Sequence, residues 1–215
     1  TGDELVEPHQ EPSVSQIRNS NASQLMAQIR ETGAIPEYIG IARDTEESTR
    51  EMLNQAFEGF DLILLSGGVS MGDFDYVPKI FEELGVEILF KSIAVQPGRP
   101  TVFGMRQEQY IFGLPGNPVS SFVQFELLVK PLIYKMMGHV YKARSFSLPM
   151  GKAIKRKKSE RRSLIPAKIV DGKVFPVEYH GSAHIHSYIF AEALIAFEIG
   201  QTQIDEGEVV DVRQI

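Results

Sequence analysis

Four consecutive apolar residues, Leu62-Ile63-Leu64-Leu65, run straight into Ser66-Gly67-Gly68. A short unbroken run is the pattern of a strand covered on both faces. The glycines let the backbone turn tightly and approach a ligand, because no Cβ stands in the way. On physical grounds alone, a simple tight turn is an equally good reading. Upstream, Leu25, Met26 and Ile29 keep helical spacing up to residue 32, behind the capping residues Asn19, Ser20 and Asn21 and ahead of a stop at Gly33. Residues 36–42 read as a strand. Residues 46–57 read as a helix with Met52, Leu53, Ala56 and Phe57 on its apolar side.

Downstream, residues 77–84 predict a helix with Pro78 in its first turn, where the missing N–H costs nothing. Residues 86–95 predict a strand, and 101–105 with 109–113 a hairpin. A long helix from 119 to about 137 follows Asn117, a capping residue, and Pro118, its first residue; Pro131 kinks it by removing one helical bond. The alternation of strand and helix predicts an α/β fold with a mostly parallel sheet flanked by helices. After Gly138 the helical period disappears. Residues 164–170 and 174–177 flank Asp171-Gly172, a strong hairpin signal, and 193–199 and 208–212 add strands. The expected organisation is an α/β domain over residues 1–140 and a small β-domain, read as a barrel, over 141–215.

Length, charge and residue usage narrow the function classes. A chain of 215 residues has room for one large or two modest domains. Its net charge of −6 disfavours wholesale nucleic-acid binding. The absence of cysteine excludes disulfides, thiolate metal sites and cysteine nucleophiles. No apolar run is long enough for a bilayer, so no membrane is expected and a cytoplasmic location is the default. Thr1-Gly2-Asp3-Glu4-Leu5 reads as the end of a strand and its loop with no strand before it, the pattern expected of a fragment of a longer protein.

Glu4, Asp44, Asp73 and Asp75 all fall in loops predicted to follow strands. In a parallel sheet such loops share one edge. Clustered carboxylates repel one another unless a cation sits among them, and oxygen donors of this kind suit magnesium, which also binds substrate phosphates. For any one of the four alone, capping or a solvated loop is the better reading. Ser66-Gly67-Gly68 and Gly116-Asn117-Pro118 both offer backbone N–H groups near a helix start, where phosphate is welcome. The basic run over residues 152–162 reads as a solvated face, since no aromatic residue is interleaved for base stacking. His184 and His186 would share one face of a strand, without a third ligand for a metal.

These segments resemble one family. TGDEL at residues 1–5, IRNSN at 17–21, SGGVSMGDFDYV at 66–77, PGRP at 97–100 and GLPGNPVSSF at 113–122 stand in the order of the molybdopterin molybdenumtransferase (MoeA) family, which includes the E domain of gephyrin. Gly181-Ser182 through Ser187 resembles its C-terminal motif. The resemblance implies a molybdopterin-binding, MogA-like α/β domain followed by a small β-barrel. It implies insertion of molybdate into adenylylated molybdopterin with release of AMP, a magnesium cofactor, and a homodimer. By the same likeness Glu4, Asp44 and Asp75 are the catalytic, metal-holding acids. Ser66, Gly67, Gly68, Ser70, Gly72, Asp73, Pro115, Gly116, Asn117 and Ser120 contact the pterin and its phosphate. Lys91, Arg99 and Ser182 are the candidates for molybdate. Ser92 and Gln96 stand where the family often carries lysines, and Arg99 where a lysine is common. The alternatives are a molybdopterin adenylyltransferase, against which the β-tail argues, and a non-catalytic, gephyrin-like peptide-binding module.

Overall fold

The computed structural model describes residues 1–69 and 76–215. These form two units, Thr1–Ile93 with Gly98–Ile133, and Ala94–Pro97 with Tyr134–Ile215. The second unit therefore begins at Tyr134 and takes a short segment from inside the first, whereas the sequence reading drew one boundary at residue 140.

In the first unit β1 (Leu5–Val6) pairs in parallel with β2 (Ile17–Arg18). α1 (Ser20–Glu31) starts at Asn19, whose side chain accepts from the Ala22 amide. α2 (Glu46–Phe57) is capped by Thr45, which accepts from the Ser48 amide, and Glu46 and Glu47 in its first turn complement the helix dipole. β3 (Leu62–Ser66), α3 (Val77–Glu83) and β4 (Glu87–Phe90) follow. The chain passes through β5 (Val95–Gln96), part of the second unit, and returns for β6 (Val102–Arg106) and β7 (Gln109–Leu114).

The four strands lie in the order β3-β7-β6-β4. β3 and β7 run parallel; β7–β6 and β6–β4 are antiparallel. The α/β class holds, but the sheet is mixed among the described residues rather than mostly parallel. A tight β6–β7 turn with Gln107 at φ +56° reverses the chain without a crossover helix. Residues 36–42, expected as a strand, have no ladder. Gly40 interrupts them at φ +137°, and their apolar content is used through Ile39, which packs on the core.

Side chains of β3 and β7 alternate between two buried clusters. Ile63 and Ile111 join Leu53, Phe57, Ile80 and Phe81 from α2 and α3. Leu62, Leu64, Phe112 and Leu114 face Leu25, Phe125 and Val129 on the other side. Burial on both faces is why residues 62–65 are apolar without alternation. The long helix divides into α4 (Pro118–Gln124), a π-helical turn (Phe125–Val129) and α5 (Lys130–Met136). The widened turn directly precedes Pro131, where a regular turn would meet the ring and lose a bond.

The second unit holds β8 (Ser145–Pro149), β9 (Ile154–Lys155), β10 (Arg162–Val170), β11 (Lys173–Pro176), a 3-10 helix (Ile185–Phe190), β12 (Ala193–Phe197), β13 (Gln203–Ile204) and β14 (Val209–Gln214). The main sheet runs β11-β10-β12-β14-β8, with β5 added in parallel to β10. Asp171 and Gly172 both take positive φ, +48° and +74°, as a two-residue hairpin turn requires. The ends of the sheet meet at one bridge, Met150 to Val174, but no ladder closes it among the described residues. The expected barrel is therefore incomplete: beyond β8 the Met150 amide donates to the Glu208 carbonyl and the Gly151 amide to the Val174 carbonyl, both at 2.8 Å, a single link where a ladder would close the sheet. His184 and His186 lie at and in the 3-10 helix, not on a strand. Within the basic run, Arg156 is structural, donating to the Gln201, Arg161 and Glu198 carbonyls and lying over the Phe197 ring.

Candidate functional site

β3 and β7 pair in register from Leu62–Tyr110 to Ser66–Leu114, so their carboxyl ends finish side by side. Ligands of open α/β sheets bind beyond such ends. After β3 the chain turns through Gly67 and Gly68 at φ +92° and +66°. A Cβ on Gly67 would stand 2.8 Å from both the Thr1 carbonyl oxygen and its Oγ1. The Gly67 amide donates to the Leu114 carbonyl at 3.0 Å. After β7, Pro115 is buried while Gly116 and Asn117 are exposed. A Cβ on Gly116 would lie 3.5 Å from the Gly67 Cα, so the two glycine turns run within one side-chain carbon of each other. Pro118 opens α4 as expected, and Ser120 is buried in its first turn. Asn117 occupies the cap position by backbone geometry only; its side chain makes no capping hydrogen bond.

The N-terminal segment brings carboxylates to the same place. The Thr1 nitrogen donates to the Ser66 carbonyl at 2.7 Å, and Gly2 N–H to the Ala42 carbonyl at 3.2 Å. The Asp3 amide donates to Asp44 Oδ2 (3.1 Å) and the Asp44 amide to Asp3 Oδ1 (3.3 Å), a reciprocal clasp between the two loops. The Glu4 carboxylate folds over Gly2, filling the space a side chain there would need. The Thr1–Ser66, Gly2–Ala42 and Asp3–Asp44 hydrogen bonds thus hold the segments carrying Glu4 and Asp44 beside the turn that follows Ser66. Both are exposed at the rim. Asp75, with Ser70, Gly72 and Asp73, lies outside the described residues.

Asn21 is a residue that sequence reasoning missed. It was one of three capping candidates, and Asn19 takes that role. The Asn21 side chain instead donates to the Gly116 carbonyl at 2.7 Å and to Ser66 Oγ at 3.4 Å. Its signal was a polar stripe, Asn21, Gln24 and Gln28, at helical spacing beside the apolar one.

The cationic candidates fall in two places. Lys91 is paired with Glu82 at 2.7 Å, and both are exposed. Arg99 is exposed on a turn held by its own carbonyl, which accepts from Ile93 and Thr101, and by Thr101 Oγ1, which donates to the Gly98 carbonyl. The buried Gln124 side chain occupies the space where a Gly98 side chain would be, so this turn needs glycine. Ser182 belongs to the second unit, in the turn closed by the His184 amide on the Gly181 carbonyl.

Two family models match the sequence. "Probable molybdopterin binding domain" covers residues 1–135, and "MoeA C-terminal region (domain IV)" covers residues 148–215. A molybdopterin molybdenumtransferase of Staphylococcus epidermidis is 33% identical over 220 residues, covering 99% of this chain and 52% of that protein. The Bacillus subtilis protein of that name is 41% identical over 133 residues, 62% of this chain and 31% of its own. Among solved structures, a molybdopterin biosynthesis MoeA protein from Pyrococcus horikoshii superposes with a TM-score of 0.81 at 26% identity, covering 100% of this chain and 52% of that one. A molybdenum cofactor biosynthesis protein from Pyrococcus furiosus superposes at 0.76 with 25% identity, covering 92% and 65%. The chain spans about half the length, or less, of the curated relatives it matches.

Proposed function

Because this chain belongs to the molybdopterin-binding domain family and carries a MoeA C-terminal region, we propose that it serves molybdenum-cofactor biosynthesis, inserting molybdate into adenylylated molybdopterin with release of AMP. One observation carries the reading: two glycine turns from adjacent parallel strands, joined by the Gly67–Leu114 hydrogen bond, lie beside the segments that carry Glu4 and Asp44. Turns of this kind direct N–H groups at phosphate oxygens, and the pterin phosphate is the group they fit. The match of residues 148–215 favours the molybdenum-inserting reaction over adenylyl transfer.

Magnesium fits the donors present. Glu4 and Asp44 are exposed hard oxygen ligands, the donor type that magnesium takes alongside substrate phosphates. Glu4 and Asp44, with Asp75, would hold it. When bound, magnesium neutralises charge that builds up as the phosphate link to AMP breaks. Molybdate is an oxyanion and needs cationic partners. Arg99 is exposed, and the exposed Lys91–Glu82 pair is worth at most about 1 kcal/mol, so an oxyanion competes for Lys91. A cytoplasmic homodimer is part of the same proposal.

The test is AMP release from adenylylated molybdopterin with magnesium, before and after molybdate is added. The expected result is molybdate-dependent release that Asp75→Asn abolishes while circular dichroism stays unchanged. Full activity in Asp75→Asn removes that residue from the mechanism. Consumption of ATP in place of AMP release points to the adenylyltransferase.

A further inference from the structure

α1 is fastened to the segment after β7 by a row of amide side chains. Asn21 Nδ2 donates to the Gly116 carbonyl at 2.7 Å. Gln24, its amide oriented to satisfy both neighbours, donates to the Pro118 carbonyl at 3.2 Å and accepts from the Phe122 amide at 3.0 Å. Gln28 donates to Glu126 Oε1 at 3.1 Å. The row ends at the proposed site, where Asn21 also reaches Ser66 Oγ at 3.4 Å. One side chain on α1 thereby ties together turns 45 and 95 residues away.

We propose that Asn21 is a positioning residue that latches the Gly116 turn to the Ser66 turn, so that the two turns form one surface for a phosphate-bearing ligand. The inference rests on the functional reading above. Two further observations favour it. The latched segments are already joined by the Gly67 amide donating to the Leu114 carbonyl at 3.0 Å, and the turns run so close that a Cβ on Gly116 would lie 3.5 Å from the Gly67 Cα, so a shift in either carries the other. Asn21 is 8% exposed, and its Oδ1 has no hydrogen-bond partner among the described residues. A buried unmatched acceptor costs stability, and a residue serving packing alone would be apolar. Asparagine is retained for its donor, which leucine lacks. Aspartate would set a carboxylate against the Gly116 carbonyl and the incoming phosphate.

The experiment compares Asn21→Leu with Gln28→Leu, which removes a hydrogen bond from the far end of the same row. For Asn21→Leu, KM for adenylylated molybdopterin rises about tenfold while kcat stays within about twofold, the split expected when a binding surface is displaced without loss of the reacting groups. The Gly67 amide exchanges with deuterium faster than in the unaltered protein. Gln28→Leu lowers the melting temperature and leaves both readouts unchanged. An equal KM rise in Gln28→Leu would reduce Asn21 to a general stabiliser and overturn the inference, as would Asn21→Leu with normal KM and normal Gly67 exchange. If the unaltered protein neither binds nor turns over the substrate, the functional reading falls. Gly67 exchange then judges the latch by itself: acceleration upholds it, and no change overturns it.

Discussion

Gly67 has two independent reasons to be glycine. Its φ of +92° strains any residue with a Cβ, and that Cβ would meet the Thr1 backbone at 2.8 Å. The backbone conformation alone costs about 1–2 kcal/mol for an L side chain. Gly67→Ala is expected to lower the urea midpoint accordingly and to abolish phosphate-ligand binding, as read by denaturation and calorimetric titration. Tyr38 gives a pH-dependent prediction. Its hydroxyl donates to Glu7 Oε1 at 2.9 Å and accepts from Asn19 Nδ2 at 3.0 Å, and burial, then Glu7, pushes its pKa up to about 12. The folded protein keeps this phenol neutral where the unfolded chain ionises it. The associated stability is present below about pH 10 and lost as pH rises towards about 12. Tyr38→Phe should lose stability less steeply over that window in urea titrations, the remaining slope including Tyr179, also raised to about 12 by burial, and Tyr188, which burial raises further. At this scale the glycine turns were legible because backbone freedom is written in the residue type. Asn21 was not: nothing local separates it from Asn19, and only the fold brings residue 116 to it.

Among elements, α2 was read residue for residue, because its helical period and the glycine after it agree; its Thr45 cap, read only as loop, is supplied by the structure. Strand direction in the first sheet was not legible, since burial period says nothing about which way a neighbour runs. Residues 36–42 show the converse, an apolar stretch that packs without pairing. The π-helical turn before Pro131 was legible only as a kink. It contains Glu126, whose side chain is 3% exposed and bonded to Lys130 at 2.8 Å and to Gln28 at 3.1 Å. Removing one partner of a buried pair is strongly destabilising. Lys130→Met is expected to cost on the order of 3 kcal/mol, measured by urea unfolding. Pairing it with Glu126→Gln should restore part of that loss.

At the level of the molecule, the magnesium proposed above is expected to serve catalysis and not folding. Chelation is expected to stop AMP release and magnesium to restore it, with the melting temperature unchanged by the chelator. Two units were legible from the change in period near residue 138. The segment Ala94–Pro97 was not, because a two-residue strand carries no period. Yet β5 pairs with Arg162 and Ser163, and the Ala94 carbonyl accepts from the Arg162 amide at 3.0 Å. This matters for anyone recombining such proteins. A graft of residues 134–215 onto a relative's first half sets a foreign segment at residues 94–97 against its own β10. Swaps that carry those residues along should tolerate exchange better than swaps cut at a single point.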